Sequence, residues 1–188
     1  MQFYREAALA DGKAIVLRSL EKQDADAAIF CLRKVSGETA FLRREKDECG
    51  MTIAQEEDVI LRKAENPREM LLGVFDGNQL VGMAGLNAIG SLSRVQHRAS
   101  VGVSLKRAYW GQGIGTAMMS ALIDAARQAG YEQVELDVVD NNTRALALYT
   151  RFGFVCVGRI PNALRYRDGR YADMCLMIRQ FSKECPEN

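Results

Sequence analysis

The sequence predicts a mixed α/β fold in a single domain. Three observations lead there: strand-like apolar runs fill the middle and the last third of the chain, stretches of helical periodicity separate them, and no repeat or low-complexity linker divides the 188 residues. A chain of this length can bury a substantial core. The domain is expected over 1–181, with a short C-terminal tail at 182–188.

Ala14 to Arg18 reads as a short first strand. Helical spacing follows from Asp24 to Lys34, where Ala28, Cys31 and Leu32, with Val35 beyond them, recur along one face. Thr52 is placed to cap a second helix, with Gln55 at the capping-box position, and that helix ends near Asn66, before Pro67. Segment 36–51 is charged and aperiodic and predicts no element. Met70 to Phe75 and Leu80 to Leu86, joined by Asp76-Gly77-Asn78, form a hairpin signal. Arg98 to Leu105 is the next strand. Ile114 to Ala129 is the clearest helix, with Ile114, Ala117, Met118, Ala121, Leu122 and Ala125 as its apolar stripe and Gly130 at its end. Glu132 to Val139 alternates as a strand, Asn142 to Phe152 is a short helix ended by Gly153, and Phe154 to Arg159 and Tyr171 to Arg179 are the last two strands.

Composition narrows the function classes. Apolar residues make up 48%, charged residues 26%, and the formal net charge is +1. Such a balance gives no global field for nucleic acid or an anionic membrane. No run approaches the ~20 apolar residues that span a bilayer. The N-terminus has no apolar signal-peptide core, so a cytoplasmic location is expected. The five cysteines lack a C-x-x-C pair and there is one histidine, His97, so reduced thiols and no metal site are expected.

The order strand, glycine turn, helix from Val101 to Ala129 carries the chemistry. Backbone N–H groups at a helix start lack intrahelical acceptors, and the helix dipole adds positive charge there. Gly111, Gly113 and Gly115 remove Cβ atoms that would block a diphosphate, Thr116 adds a hydroxyl, and Lys106 and Arg107 lie just upstream. The turn fails two rival tests. A Rossmann fingerprint needs glycine where Thr116 stands, and a P-loop needs G-K-[ST]. Alone, the glycines could equally serve tight packing.

A second constellation follows the next strand. Asn142 is placed as an N-cap, with Ala145 and Tyr149 along the same helix face. On periodicity alone Tyr149 reads as a half-buried core aromatic, and Asn142 as a plain cap.

Together, Val101-Gly102-Val103-Ser104-Leu105, then Trp110 to Thr116, then Asn142 to Ala145 with Leu148-Tyr149 and Phe152-Gly153-Phe154, resemble the GNAT superfamily of acyl-CoA-dependent N-acyltransferases. The resemblance covers about residues 70–180 and is looser over 14–66. It implies a twisted mixed sheet whose central strands, at 98–105 and 132–139, splay to admit pantetheine. Backbone groups of Val103 and Leu105 would pair with pantetheine amides. Trp110, Gly111, Gln112, Gly113, Ile114, Gly115 and Thr116 would hold the pyrophosphate, Asn142 and Ala145 would meet the pantetheine arm, and Tyr149 would sit near the sulfur as general acid. Acetyl-CoA is the implied acyl donor, and the implied partner is an amine acceptor, a small molecule or a peptide. A homodimer is left open.

Two departures stand out. Trp110 occupies a position where the family usually has Arg or Gln, so the grip on pyrophosphate is expected to rest on backbone N–H groups. Ser100 stands where many members carry a carboxylate, which leaves the base open: a water chain ending in Glu135 or Asp137, or His97. The alternative reading is a non-catalytic acyl-CoA-binding domain of the same fold. Segment 36–66 would border the acceptor, and its mixed charges identify none.

Overall fold

The computed structural model describes residues 1–9 and 12–181, so the expected tail at 182–188 lies outside the described residues. Eight strands form one sheet: β1 (Tyr4–Ala8), β2 (Ala14–Ser19), β3 (Met70–Asp76), β4 (Gln79–Ala88), β5 (Arg98–Leu105), β6 (Gln133–Val139), β7 (Val155–Arg165) and β8 (Tyr171–Gln180). Their order is β1-β2-β3-β4-β5-β6-β8-β7. Only β5 and β6 run parallel; every other neighbouring pair is antiparallel. Among the described residues four α-helices accompany them: α1 (Ala25–Glu38), α2 (Ile53–Glu65), α3 (Ile114–Gln128) and α4 (Thr143–Arg151). The mixed α/β expectation holds.

Alternation along the strands divides the core between the two faces. Met70, Leu72 and Val74 of β3, with Ala84 and Leu86 of β4, face α3 and share a cluster with Met118, Met119 and Leu122. Leu71 and Phe75 of β3 and Met83 of β4 face the other way, toward Ala28, Cys31 and Val35 of α1 and Ile60 of α2. The capping box at the start of α2 forms as expected: Gln55 N–H donates to Thr52 Oγ1, and Thr52 N–H donates to Gln55 Oε1.

Three parts of the chain differ from the sequence expectation, and one is β7, which runs to Arg165, six residues past its expected end at Arg159. β1 has no signal in the sequence, because Tyr4-Arg5-Glu6-Ala7-Ala8 shows no apolar alternation; it exists by pairing with β2 over five residues. Segment 36–51, which predicted nothing, extends α1 to Glu38 and then packs against β6 and β8. Its hold is long-range. Phe41 packs on Val139, Ala172 and Met174, and the Tyr166 hydroxyl donates to the Ala40 carbonyl at 3.1 Å.

Candidate functional site

The site begins where the sheet opens. β5 and β6 pair only over Arg98–Gln133, Ala99–Val134 and Ser100–Glu135, and then part. Backbone parity decides which groups of β5 face the gap. Ile89 N–H donates to Arg98 O at 3.2 Å, and Lys106 N–H donates to Val81 O at 2.9 Å, so the even-numbered residues of β5 bond to β4 through an unbroken register. The backbone groups of Val103 and Leu105 therefore point away from β4, into the fork. The N–H groups of both are directed there. The Leu105 carbonyl is already committed, because the Trp110 indole donates to it at 2.8 Å.

The glycine turn closes the wide end of the fork. Gly111 and Gly113 sit at φ of 79° and 84°, where an L side chain is strained, and a Cβ at either would meet open space. Gly115 differs: a Cβ there would lie 3.3 Å from Leu148 Cδ2, so this glycine lets α3 and α4 approach each other. The three glycines thus serve two purposes. Gln112 donates from its side chain to the Ala108 carbonyl at 2.9 Å and ties the turn to the 3-10 segment before it. Ile114 is buried and anchors the first turn of α3, while Thr116 is half-buried beside it.

Positive charge is present despite the tryptophan. The Trp110 ring lies 5.1 Å from the Arg144 guanidinium carbon and 6.0 Å from that of Arg107. Such contacts contribute about 0.5–1 kcal/mol each at exposed sites. Sequence reasoning missed Arg144. Its place in the first turn of α4, two residues after the cap, was the available signal. Glu38 at the end of α1 accepts the Arg107 backbone N–H at 2.7 Å, and that bond above all holds its carboxyl below the usual range.

The second constellation lies along α4. Asn142 Oδ1 accepts the Ala145 N–H at 3.2 Å, which makes Asn142 the N-cap and leaves its side-chain amide N–H groups without a hydrogen-bond acceptor among the described residues. Tyr149 is 7% exposed and is the one fully buried residue of α4. Its ring meets Phe154 at 6.0 Å between centroids, and its hydroxyl makes no hydrogen bond to any described residue. Burial pushes its pKa up to about 12.

The strand parity of β6 also settles where the two carboxylates lie. Val134, Leu136 and Val138 face the α3 side, so Glu135 and Asp137 share the opposite face with Val139. There Ser100, Val101, Glu135, Leu136, Asp137, Leu176 and Arg43 line a cleft of about 300 Å³ at the apex of the fork. Glu135 is held by Arg98 through two bonds, at 2.5 and 2.9 Å, and accepts a third from Gln133. The Arg98 bonds hold its carboxyl below the ordinary value, a poor condition for a base. Asp137 is paired with Arg43 from the α1–α2 loop. His97 lies at the foot of β5, where its carbonyl accepts N–H groups of Glu132 and Gln133. Among the described residues no cluster of His, Cys, Asp and Glu could hold a metal ion.

Comparison with known proteins gives a consistent result. A family model described as the acetyltransferase (GNAT) family matches residues 38–154. Over 97 residues the chain is 34% identical to the N-alpha-acetyltransferase RimI of Mycobacterium tuberculosis, covering 52% of this chain and 59% of that protein. Over 104 residues it is 32% identical to mycothiol acetyltransferase of Clavibacter sepedonicus, covering 55% of this chain and 33% of that protein. The matches therefore span between about a third and three fifths of those relatives' length. Among solved structures, an acetyltransferase of the GNAT family from Streptococcus pneumoniae superposes with a TM-score of 0.85 at 25% identity, over 89% of this chain and 99% of that one. The yncA structure from Salmonella typhimurium, solved with acetyl-CoA, superposes with a TM-score of 0.79 at 19% identity, over 92% of this chain and 98% of that one.

Proposed function

Because the chain belongs to the acetyltransferase (GNAT) family, we propose that it transfers an acetyl group from acetyl-CoA to a primary amine by direct attack within one ternary complex. The observation that carries this reading is the fork. Val103 and Leu105 present backbone N–H groups to a gap between two strands, and the glycine turn stands at its wide end. An extended chain with amides and a diphosphate is complementary to that arrangement.

We assign the roles as follows. The Val103 N–H is the donor for the oxyanion that develops on the thioester carbonyl. The free amide N–H groups of Asn142 reach the pantetheine arm, with Ala145 as the small residue beside it. Trp110, Gly111, Gln112, Gly113, Ile114, Gly115 and Thr116 form the pyrophosphate cradle. Tyr149 donates its hydroxyl proton toward the sulfur. With its pKa near 12, complete transfer to a thiolate of pKa about 8.5 is uphill by roughly 5 kcal/mol. Tyr149 therefore acts chiefly by hydrogen-bonding the departing sulfur. Asp137 takes the amine proton once the acceptor displaces Arg43, since Glu135 is committed to Arg98.

Calorimetry with acetyl-CoA and a screen of amines for free CoA release test the proposal. Binding followed by release supports it. Binding without release of CoA by any amine favours the non-catalytic reading, for which Ser100 in place of a carboxylate is the supporting feature. No binding at millimolar acetyl-CoA removes both.

A further inference from the structure

On the acceptor side, the fork is closed by an ion pair. Arg43 reaches from the α1–α2 loop to Asp137 on β6, across the cleft that Ser100, Val101, Leu136 and Leu176 also line. The loop is fixed at further points. Phe41 packs on Val139, Ala172 and Met174, Tyr166 bonds to Ala40, and Arg167 pairs with Asp47 at 2.5 Å. The loop therefore holds Arg43 at the edge of a cleft of about 300 Å³. That volume suits a small molecule.

The charges in this space are not equivalent. Glu135 is fixed by the two-point grip of Arg98, so Arg43 and Asp137 are the exchangeable pair. An amine approaching the apex takes Asp137 from Arg43. A simple monoamine leaves the guanidinium without its carboxylate and beside a second cation. A molecule with an ammonium and a carboxylate on one carbon replaces both partners at once: the ammonium meets Asp137, and the carboxylate meets the planar fork of Arg43. Leu176, the neighbour of Asp137 across β6 and β8, supplies an apolar side chain on this face for the rest of it.

We propose that the acceptor is a free α-amino acid with an uncharged side chain, read by Arg43 through its carboxylate and by Asp137 through its amine. The inference rests on the acetyl-transfer reading above. The step balances as follows. Asp137 removes one ammonium proton, and the neutral amine forms the C–N bond while the C–S bond breaks. The second excess proton on nitrogen passes to the thiolate held by Tyr149. The products are the N-acetyl amino acid and free CoA, and the Asp137 proton returns to solvent. The acceptor carboxylate keeps its charge on Arg43 throughout.

The test uses the full chain with acetyl-CoA and matched acceptors: a panel of uncharged α-amino acids, their amides, and the corresponding decarboxylated amines. The expected result is a kcat/KM at least tenfold higher for some amino acid than for its amide or its amine. Arg43→Gln should collapse that ratio toward one by raising KM for the amino acid, and Arg43→Lys should restore part of it. Equal turnover of amino acid, amide and amine, or an unchanged ratio in Arg43→Gln, overturns the inference while leaving acetyl transfer standing. So does turnover confined to peptides. Absence of acetyl-CoA binding is the separate outcome that removes the acetyl-transfer reading itself.

Discussion

The Arg144 guanidinium carbon stands 5.1 Å from the centre of the Trp110 ring, on an indole whose N–H donates to the last carbonyl of β5. One side chain thus links β5, the glycine turn and α4, and it gathers Arg107 as well at 6.0 Å. Trp110→Ala should free both guanidinium groups from that platform. Each contact contributes about 0.5–1 kcal/mol, so the loss corresponds to roughly tenfold weaker acetyl-CoA binding. Trp110→Phe, which keeps a ring, should lose less. The phosphate origin of the effect is checked with a short acetyl thioester that lacks phosphates, whose KM should not change. Equal weakening for both thioesters would mean that Trp110 acts only through the shape of the fork.

Tyr149 offers a cleaner kinetic signature. Tyr149→Phe removes the hydroxyl and keeps the ring that meets Phe154. We expect the acetyl-transfer rate to fall by about 10²-fold with acetyl-CoA affinity nearly unchanged. Calorimetry and initial rates on the same preparation decide it. An unchanged rate would take Tyr149 out of the reaction.

The pKa of Tyr149 also predicts an alkaline limit to stability. The folded value is about 12 and the unfolded value 10.0. Between them the unfolded chain has released this proton and the folded chain still holds it. The contribution is therefore intact below pH 10 and is lost as pH rises toward 12, at roughly 1.4 kcal/mol per pH unit. Urea midpoints of the parent and of Tyr149→Phe, taken at pH 9 and pH 11, should show a steeper loss in the parent.

How much of this was legible beforehand depends on the range of the forces. The stripe of α3 and the order β5, glycine turn, α3 are local patterns, and the sequence shows both. Even Glu135 and Asp137 could be put on one face, because buried Val134, Leu136 and Val138 alternate with them. Their partners could not be found that way. Arg98 and Arg43 lie 37 and 94 residues away in sequence, and no periodicity encodes such a meeting. The same applies to β1, whose exposed residues carry no pattern of their own and rely on the edge of β2. Which backbone N–H groups face the fork follows from pairing register, which exists only once β4 and β5 have met.

Gly113 and Gly115 should respond differently to the same change. Gly113 holds φ at 84° in open space, so Gly113→Ala strains the backbone by about 1–2 kcal/mol and moves the N–H groups at the start of α3. Acetyl-CoA affinity should fall with stability. Gly115→Ala keeps a helical backbone and puts its methyl 3.3 Å from Leu148 Cδ2. If Leu148 shifts by a few tenths of an ångström, stability is nearly retained and α4 carries Asn142 and Tyr149 slightly outward. The expected result for Gly115→Ala is a change in rate larger than its change in melting temperature. The reverse result would show that α3 and α4 are packed without slack.

Away from the site, Asp24 carries a stability prediction whose sign can be worked through. It is 8% exposed at the start of α1. Its carboxylate accepts two bonds from Arg18, at 2.7 and 2.9 Å, and one from the Glu21 N–H at 2.8 Å. Burial alone would raise its pKa, but the bonds from Arg18 and Glu21 outweigh that and leave it lowered. A carboxyl whose folded pKa is depressed contributes stability above its unfolded value, about 3.9, and that contribution is lost as pH falls through the folded value. Asp24→Ala also strands Arg18 against Phe75, whose ring centre is 4.0 Å from the guanidinium carbon. Losing one partner of such a pair costs about 3 kcal/mol. The urea midpoint of Asp24→Ala should therefore lie well below the parent's at pH 7, and the gap should narrow as pH falls below the ordinary carboxylate range and Asp24 takes up its proton. A gap of constant size across that range would assign the loss to packing at the start of α1, and not to the charge on Asp24.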